Sequence, residues 1–250
     1  MRSWNDYLFP MSLVLVLLVG WEIAARAVGM SYILPAPTEV VLKLWELKEI
    51  LILRHLPATI SIILVGLSIS IIFGVGLAIW MSQSKIAEKA FYPIMIASQT
   101  IPIIALAPIF VLWFGYSIWS KVVVTVLITF FPITVNTFDG LRSSSKELKE
   151  LLLTLGAKKR DIFFKLYIPS ALPHFFSGLK VAVTLSVIGA AIGEWLGAQA
   201  GLGYFSRRMM TQFDGAGVFA PILLLSLVGI VLFLFVVLIE KITLKWRKTG

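Results

Sequence analysis

Three ionisable side chains, Glu22, Lys180 and Glu194, stand inside or at the ends of long uncharged stretches of this sequence. A charge in lipid is costly, so such groups mark pathways, gates or proton relays unless they reach water. Glu22 and Lys180 lie near enough to stretch ends for their side chains to snorkel to the headgroups. Glu194, in Gly193-Glu-Trp195, closes its stretch just before Gly201-Leu-Gly203, which suits a gate or pathway group and equally a simple helix end. No succession of buried Asp, Glu and His accompanies it, which argues against a proton-driven carrier or a redox pump. His55 and His174 are too few and too far apart for a metal site. A chain without cysteine holds no thiolate nucleophile, disulfide or Cys-ligated metal. The sequence also lacks G-x-x-x-x-G-K-S/T, H-E-x-x-H and G-x-S-x-G, so it has no ATP-binding loop, zinc-protease helix or serine-hydrolase elbow. No catalytic residue, metal or cofactor is expected.

Prolines distinguish the stretch from Thr100 to Gly115, which holds Pro102 and Pro108 in otherwise apolar sequence. Each proline lacks a backbone N–H and frees a carbonyl one turn earlier. In lipid that carbonyl must find a partner or line a wet cavity. A kinked structural helix and a pathway-lining helix with a mobile kink both fit. Elsewhere Gly66, Ser70 and Gly74, and again Gly189, Gly193 and Gly197, recur every four residues. Small residues at that spacing let helix backbones approach closely.

The elements that carry these residues are membrane helices. Of 250 residues, 59% are hydrophobic and 14% charged, and the mean hydropathy is +0.95. Soluble domains run near ~45–50% apolar and ~25% charged. Gaps between charges give six spans within a single domain, 1–250: residues 8–27, 56–81, 91–115, 122–138, 175–195 and 215–239. The third, broken by prolines, reads as one span with an irregular entry. The first has Arg2 before an apolar run and Ala25-Arg-Ala27 after it, like a secretory signal. Trp21 and Glu22 stand where a signal has small residues, so an uncleaved helix is expected.

Lysine and arginine set the orientation. With both termini cytoplasmic, the inner segments hold fourteen of them, at Arg2, Lys85, Lys89, between Arg142 and Lys165, and after Glu240. The outer segments hold seven: Arg26, Lys43, Lys48, Arg54, Lys121, Arg207 and Arg208. The net charge of +9 therefore reads as topology and lipid contact, not nucleic-acid binding. Trp4, Trp21, Trp80, Trp119 and Trp195 lie near span ends, as an interfacial aromatic belt would place them.

One large inner segment, 139–169, is organised. Ser144 with Glu147 has capping-box spacing. Leu148, Leu151, Leu152 and Leu155 follow on one helical face, and Gly156 stands where a left-handed residue would end that helix. Lys158-Lys-Arg160 opens a second stretch with Ile162, Phe163 and Leu166 on one side, stopped by Pro169. An amphipathic hairpin on the headgroups and a docking surface for a soluble partner both fit.

Glu150-Leu-Leu152, three residues, Gly156, nine residues, then Leu166-Tyr-Ile168-Pro169 resembles the "EAA" loop of ABC importer permeases. Glu150, Gly156 and Pro169 match by type; Leu151 and Leu152 replace the two alanines, and Leu166 and Ile168 exchange the aliphatics. The resemblance extends over nearly the whole chain. Leu34-Pro-Ala-Pro37, the Pro102/Pro108 span, Gly178-Leu179, and Glu194 with Gly201-Leu-Gly203 are similar to the branch importing sulfonates, taurine, nitrate and thiamine or riboflavin precursors. Within it, Ser98 to Pro108 and Ile192 to Gly197 look most like permeases for pyrimidine precursors of thiamine or for riboflavin.

The resemblance implies an all-α, multi-pass protein of the cell (inner) membrane with about six spans and a two-helix coupling loop between the fourth and fifth. It implies a second permease subunit completing a dimer, a cytoplasmic ABC ATPase dimer on the loops, and an extracytoplasmic substrate-binding protein. Glu150, Leu151, Leu152, Gly156, Ala157, Lys158, Leu166, Ile168 and Pro169 would then form the coupling loop. Pro102, Pro108 and Glu194 would line or gate the pathway. Two competitors are weaker. A membrane enzyme acting on lipids would need paired carboxylates or a nucleophile with a base at one face, and none is found. The other is a scaffold subunit of a larger membrane complex.

Overall fold

In the computed structural model, residues 5–246 are described, with side chains from residue 8 on, and they form eleven α-helices with no strand. Arg2, Trp4, Arg247 and Lys248, counted above for orientation and the aromatic belt, lie outside the described residues. Helices α1 (Asn5–Val28), α6 (Ile118–Arg142) and α11 (Gly215–Thr243) are long and apolar enough to cross a membrane. So are two longer runs built from several elements. In the first, α2 (Pro37–Ile50), a π-helical turn (Leu51–His55) and α3 (Leu56–Gln83) make one continuous helix of 47 residues. In the second, α8 (Lys159–Ile162), a π turn (Phe163–Tyr167) and α9 (Ile168–Gly197) make one of 39.

Both long helices pass through a proline. Pro57 and Pro169 each come two residues after a π turn. A π turn shifts the hydrogen-bond ladder by one residue, so the helix can continue through a residue that has no N–H to donate. Pro169 therefore does not stop the second stretch of the inner loop, as its ring chemistry led us to expect; it sits in the first turn of α9. The segment before residue 56, expected as an outer loop, is mostly helix, since α2 and the π turn run directly into α3. At about 1.5 Å per residue the first long helix measures roughly 70 Å, more than twice the apolar thickness of a bilayer.

The proline-rich third stretch, expected as one span with an irregular entry, is interrupted. It is two helices, α4 (Lys85–Ser98) and α5 (Ile103–Phe114), bent by 101° at the break between them. Pro102 is the extended residue that caps α5, while Pro108 lies inside α5. Proline disfavours helical conformation in the residue before it, which places the break ahead of Pro102. The described residues thus hold five candidate spans, or six when the bent pair counts as one.

At the centre α6 lies between α3 and α9. A Cβ added at Gly66 of α3 would meet Thr125 Cγ2 at 2.7 Å, and one at Gly189 of α9 would meet Thr125 Cα at 2.9 Å. Gly74 packs on Thr134 and Gly193 on Lys121 in the same way. The four-residue spacings are therefore helix-packing seams. The hydroxyls of Thr125, Thr129, Thr134 and Thr137 each donate to the carbonyl four residues earlier, so α6 buries them without an unpaired donor. By contrast, most apolar side chains of α1 and α11 face outward, as lipid contact requires.

Two ionisable groups differ from expectation. Lys180 does not snorkel; its ammonium meets both carboxylate oxygens of Glu240 on α11, at 2.8 and 3.1 Å. Lys121, counted as an outer-loop charge, is buried in the first turns of α6 and donates to the carbonyls of Tyr116 and Ser117.

Candidate functional site

The loop expected on the inner side begins one residue later than its capping-box spacing suggested. Ser145, not Ser144, is the extended cap of α7 (Lys146–Thr154), and its Oγ accepts from the Leu148 N–H at 3.2 Å. The Ser145 hydroxyl also donates to Glu147 at 2.5 Å, which holds that carboxyl below its ordinary pKa. Helix α6 continues to Arg142, so the connection is shorter than 139–169.

Gly156 ends α7 with φ +81°. Its N–H reaches the Leu153 carbonyl at 3.0 Å and the next N–H, of Ala157, reaches Leu152 at 2.9 Å. That pair of bonds is the Schellman ending, which requires a left-handed residue where glycine stands. Asp161 then accepts from the Lys158 N–H at 3.1 Å and starts α8.

These local devices sort the loop's apolar residues into two sets. Leu148, Leu151, Leu153, Leu155 and Phe164 are exposed, and Glu150 lies exposed among them. Ile162 and Leu166 are buried, and Ile168 and Pro169 are half-buried where α9 begins. The first set is a free surface; the second ties that surface to the body of the protein. Between the loop and the end of α3 lies a cavity of about 630 Å³ bordered by Gln83, Lys149, Phe163 and Tyr167.

At the opposite end of α9, Glu194 is fully buried. Its Oε1 accepts from Thr59 Oγ1 at 2.7 Å, and its Oε2 from the Gly203 N–H at 2.7 Å. The same Thr59 oxygen accepts from the Leu202 N–H at 2.9 Å, and His55 Nδ1 accepts from Gly201 at 3.1 Å. Three side chains from two long helices thus cap the first turn of α10 (Leu202–Thr211), whose N–H groups have no partner within the helix. Gly201 has φ +124°, and a Cβ there would run into the Glu194 carboxylate.

This arrangement is a latch, not a lining. Glu194, considered above as a pathway or gate group or a simple helix end, is buried within this cluster. Thr59, its side-chain partner, and His55, which holds Gly201, were missed in the sequence; their four-residue spacing places them on one face of α3's entry, which was the only available signal. Pro102 and Pro108 are exposed on α5 and do not join this cluster. Helix α5 instead touches the Glu194 end of α9, where Val111 packs on Gly197. A mainly apolar cavity of about 610 Å³ lies along α9 and α11, bordered by Ile104, Thr184, Trp195, Ser206 and Ser226.

The profile of the binding-protein-dependent transport system inner membrane component family matches residues 70–244, which include the loop and all of α9 and α10. The chain belongs to this family. It is the permease of an ABC transporter, a multi-pass membrane protein whose named relatives are transport permeases. It is 59% identical to the formylaminopyrimidine transport permease protein ThiX of Halalkalibacterium halodurans over 248 residues, 99% of each chain. The riboflavin transport system permease protein RibX of Chloroflexus aurantiacus is 34% identical over 98% of this chain and 92% of its own. The putative aliphatic sulfonates transport permease protein SsuC of Bacillus subtilis is 30% identical over 94% of this permease and 86% of its own length.

Proposed function

We propose that this permease imports a formylaminopyrimidine, delivered by an extracytoplasmic binding protein, as one half of a homodimer driven by a cytoplasmic ATPase dimer. The carrying observation is identity of 59% sustained over 99% of both chains with a permease named for that substrate. Relatives named for riboflavin and for sulfonates share 34% and 30%.

The loop from Ser145 to Lys165 is the ATPase contact, with both termini on its side of the membrane. Its exposed leucines supply apolar area, and Gly156 fixes the angle between α7 and α8. Because residues 159–197 are one helix, a push on the loop moves the Glu194 latch at the far end. In this role Glu194 holds α10 to the moving helix, and the break before Pro102 lets α5 swing relative to α4.

The test is uptake into proteoliposomes holding the permease, its ATPase and its binding protein. ATP-dependent accumulation of labelled formylaminopyrimidine, with riboflavin and taurine excluded, is the expected result. Preferential uptake of riboflavin or of a sulfonate would refute the substrate assignment while leaving the transporter class intact.

A further inference from the structure

A cavity of about 380 Å³ lies at the latch end of the molecule, bordered by Tyr116 after α5, Gly197 at the end of α9 and Ala198 after it, and Tyr204, Arg207 and Arg208 of α10. That volume falls within the range of small-molecule sites, ~300–1,000 Å³. Arg207 is engaged, donating to the Trp195 carbonyl. Among the described residues the Arg208 guanidinium and the phenol oxygens of Tyr116 and Tyr204 have no hydrogen-bond or ion-pair partner within the protein. No carboxylate borders the cavity. Glu194, the nearby acid, has its oxygens committed to Thr59 and Gly203.

The latch decides where these groups stand. Tyr204 follows directly on Gly201, Leu202 and Gly203, whose N–H groups are all capped, and its ring stacks on His55 at 6.0 Å between centroids. The ring and the arginines are therefore held by α10 while Tyr116 comes from another element. Aromatic faces suit a flat ring, and an unpaired guanidinium suits an acceptor oxygen or ring nitrogen. Two positive charges without a carboxylate disfavour any cation.

We infer that this cavity is an entry subsite for a planar heterocycle bearing hydrogen-bond acceptors, neutral or anionic but not cationic, with Arg208 on the acceptor and Tyr116 against the ring. The inference deepens the functional reading above and rests on it. It adds a selection by charge on the permease itself, independent of the binding protein.

The test uses the assembled permease–ATPase complex in nanodiscs of neutral lipid, without binding protein, and measures binding of labelled formylaminopyrimidine. Arg208→Gln should weaken binding about tenfold, the loss of one charge-assisted hydrogen bond. Tyr116→Leu should weaken it several-fold and Tyr116→Phe should not. Both residues are exposed, so neither change threatens the fold. Thiamine, which carries a cationic ring, should compete far less well than the neutral compound. Equal competition by thiamine, or unaltered binding in both Arg208→Gln and Tyr116→Leu, overturns the subsite. So does absence of binding in an unaltered complex that imports the compound once binding protein is added. Absence of import by that complete system, with binding intact, instead overturns the functional reading.

Discussion

Replacing Gly156 by valine isolates the backbone geometry of the coupling loop. At φ +81° an L-residue sets its Cβ against its own backbone, at a cost of about 1–2 kcal/mol. A Cβ built at Gly156 meets nothing within 4 Å, so no neighbouring side chain adds to that cost. If the turn relaxes to escape the strain, the bonds from Gly156 to Leu153 and from Ala157 to Leu152 break, at about 0.5–1.5 kcal/mol each. Since ~1.4 kcal/mol is a factor of ten, the native turn loses roughly five- to thirty-fold in population against other loop shapes. The exposed leucines then point away from a common surface. The assay is uptake per ATP hydrolysed in the reconstituted transporter, together with the amount of ATPase retained on the purified permease. Gly156→Val should keep membrane insertion and binding-protein docking but lower one of those two quantities at least fivefold. Gly156→Asn, which enters the left-handed region more readily, should fall between valine and wild type. Wild-type coupling in the valine variant would refute the argument, and so would equal failure of valine and asparagine.

Other expectations follow from the buried groups. Glu194→Ala leaves the Thr59 hydroxyl and the Gly203 N–H without their partner, so the solubilised permease should lose about 2–4 kcal/mol and melt earlier. Glu194→Gln keeps the shape and should cost less; identical melting in all three proteins would show that the latch contributes nothing. Lys180 and Glu240 join α9 to α11 while only a quarter to a fifth exposed, so a double-mutant cycle with Lys180→Met and Glu240→Gln should give a coupling energy above about 1 kcal/mol. A cycle that closes to zero means that the pair is incidental. A cysteine at Lys146, exposed and clear of the Ser145 cap, should resist an impermeant thiol reagent in intact cells and react after permeabilisation. Labelling in intact cells would reverse the orientation.

Hydropathy and charge spacing were enough for an all-helical membrane chain, because each span must bury its own apolar length in lipid. Short-range signals were equally legible. Gly156 followed a leucine face in sequence and ends α7 in the structure, since a helix ending depends on residues within about one turn. The four-residue glycine spacings told of close helix approach, although only packing showed that Gly66 and Gly189 both press on Thr125. Pro169 misled because the surrounding ladder could adapt. The π turns ahead of Pro57 and Pro169 carry both helices through, whereas at Pro102 no such turn intervenes and the chain breaks.

What tertiary structure alone decided is the fate of the ionisable groups. Glu194 meets Thr59 across 135 residues and His55 meets Gly201 across 146. Lys180 finds Glu240 across 60. No local pattern encodes such pairs, because the partner is chosen by which helix packs alongside and at what height. A sequence gives the cost of burying a carboxylate in lipid; the packed helices determine which donors meet it, and so whether it lines a pathway or fastens one helix to another.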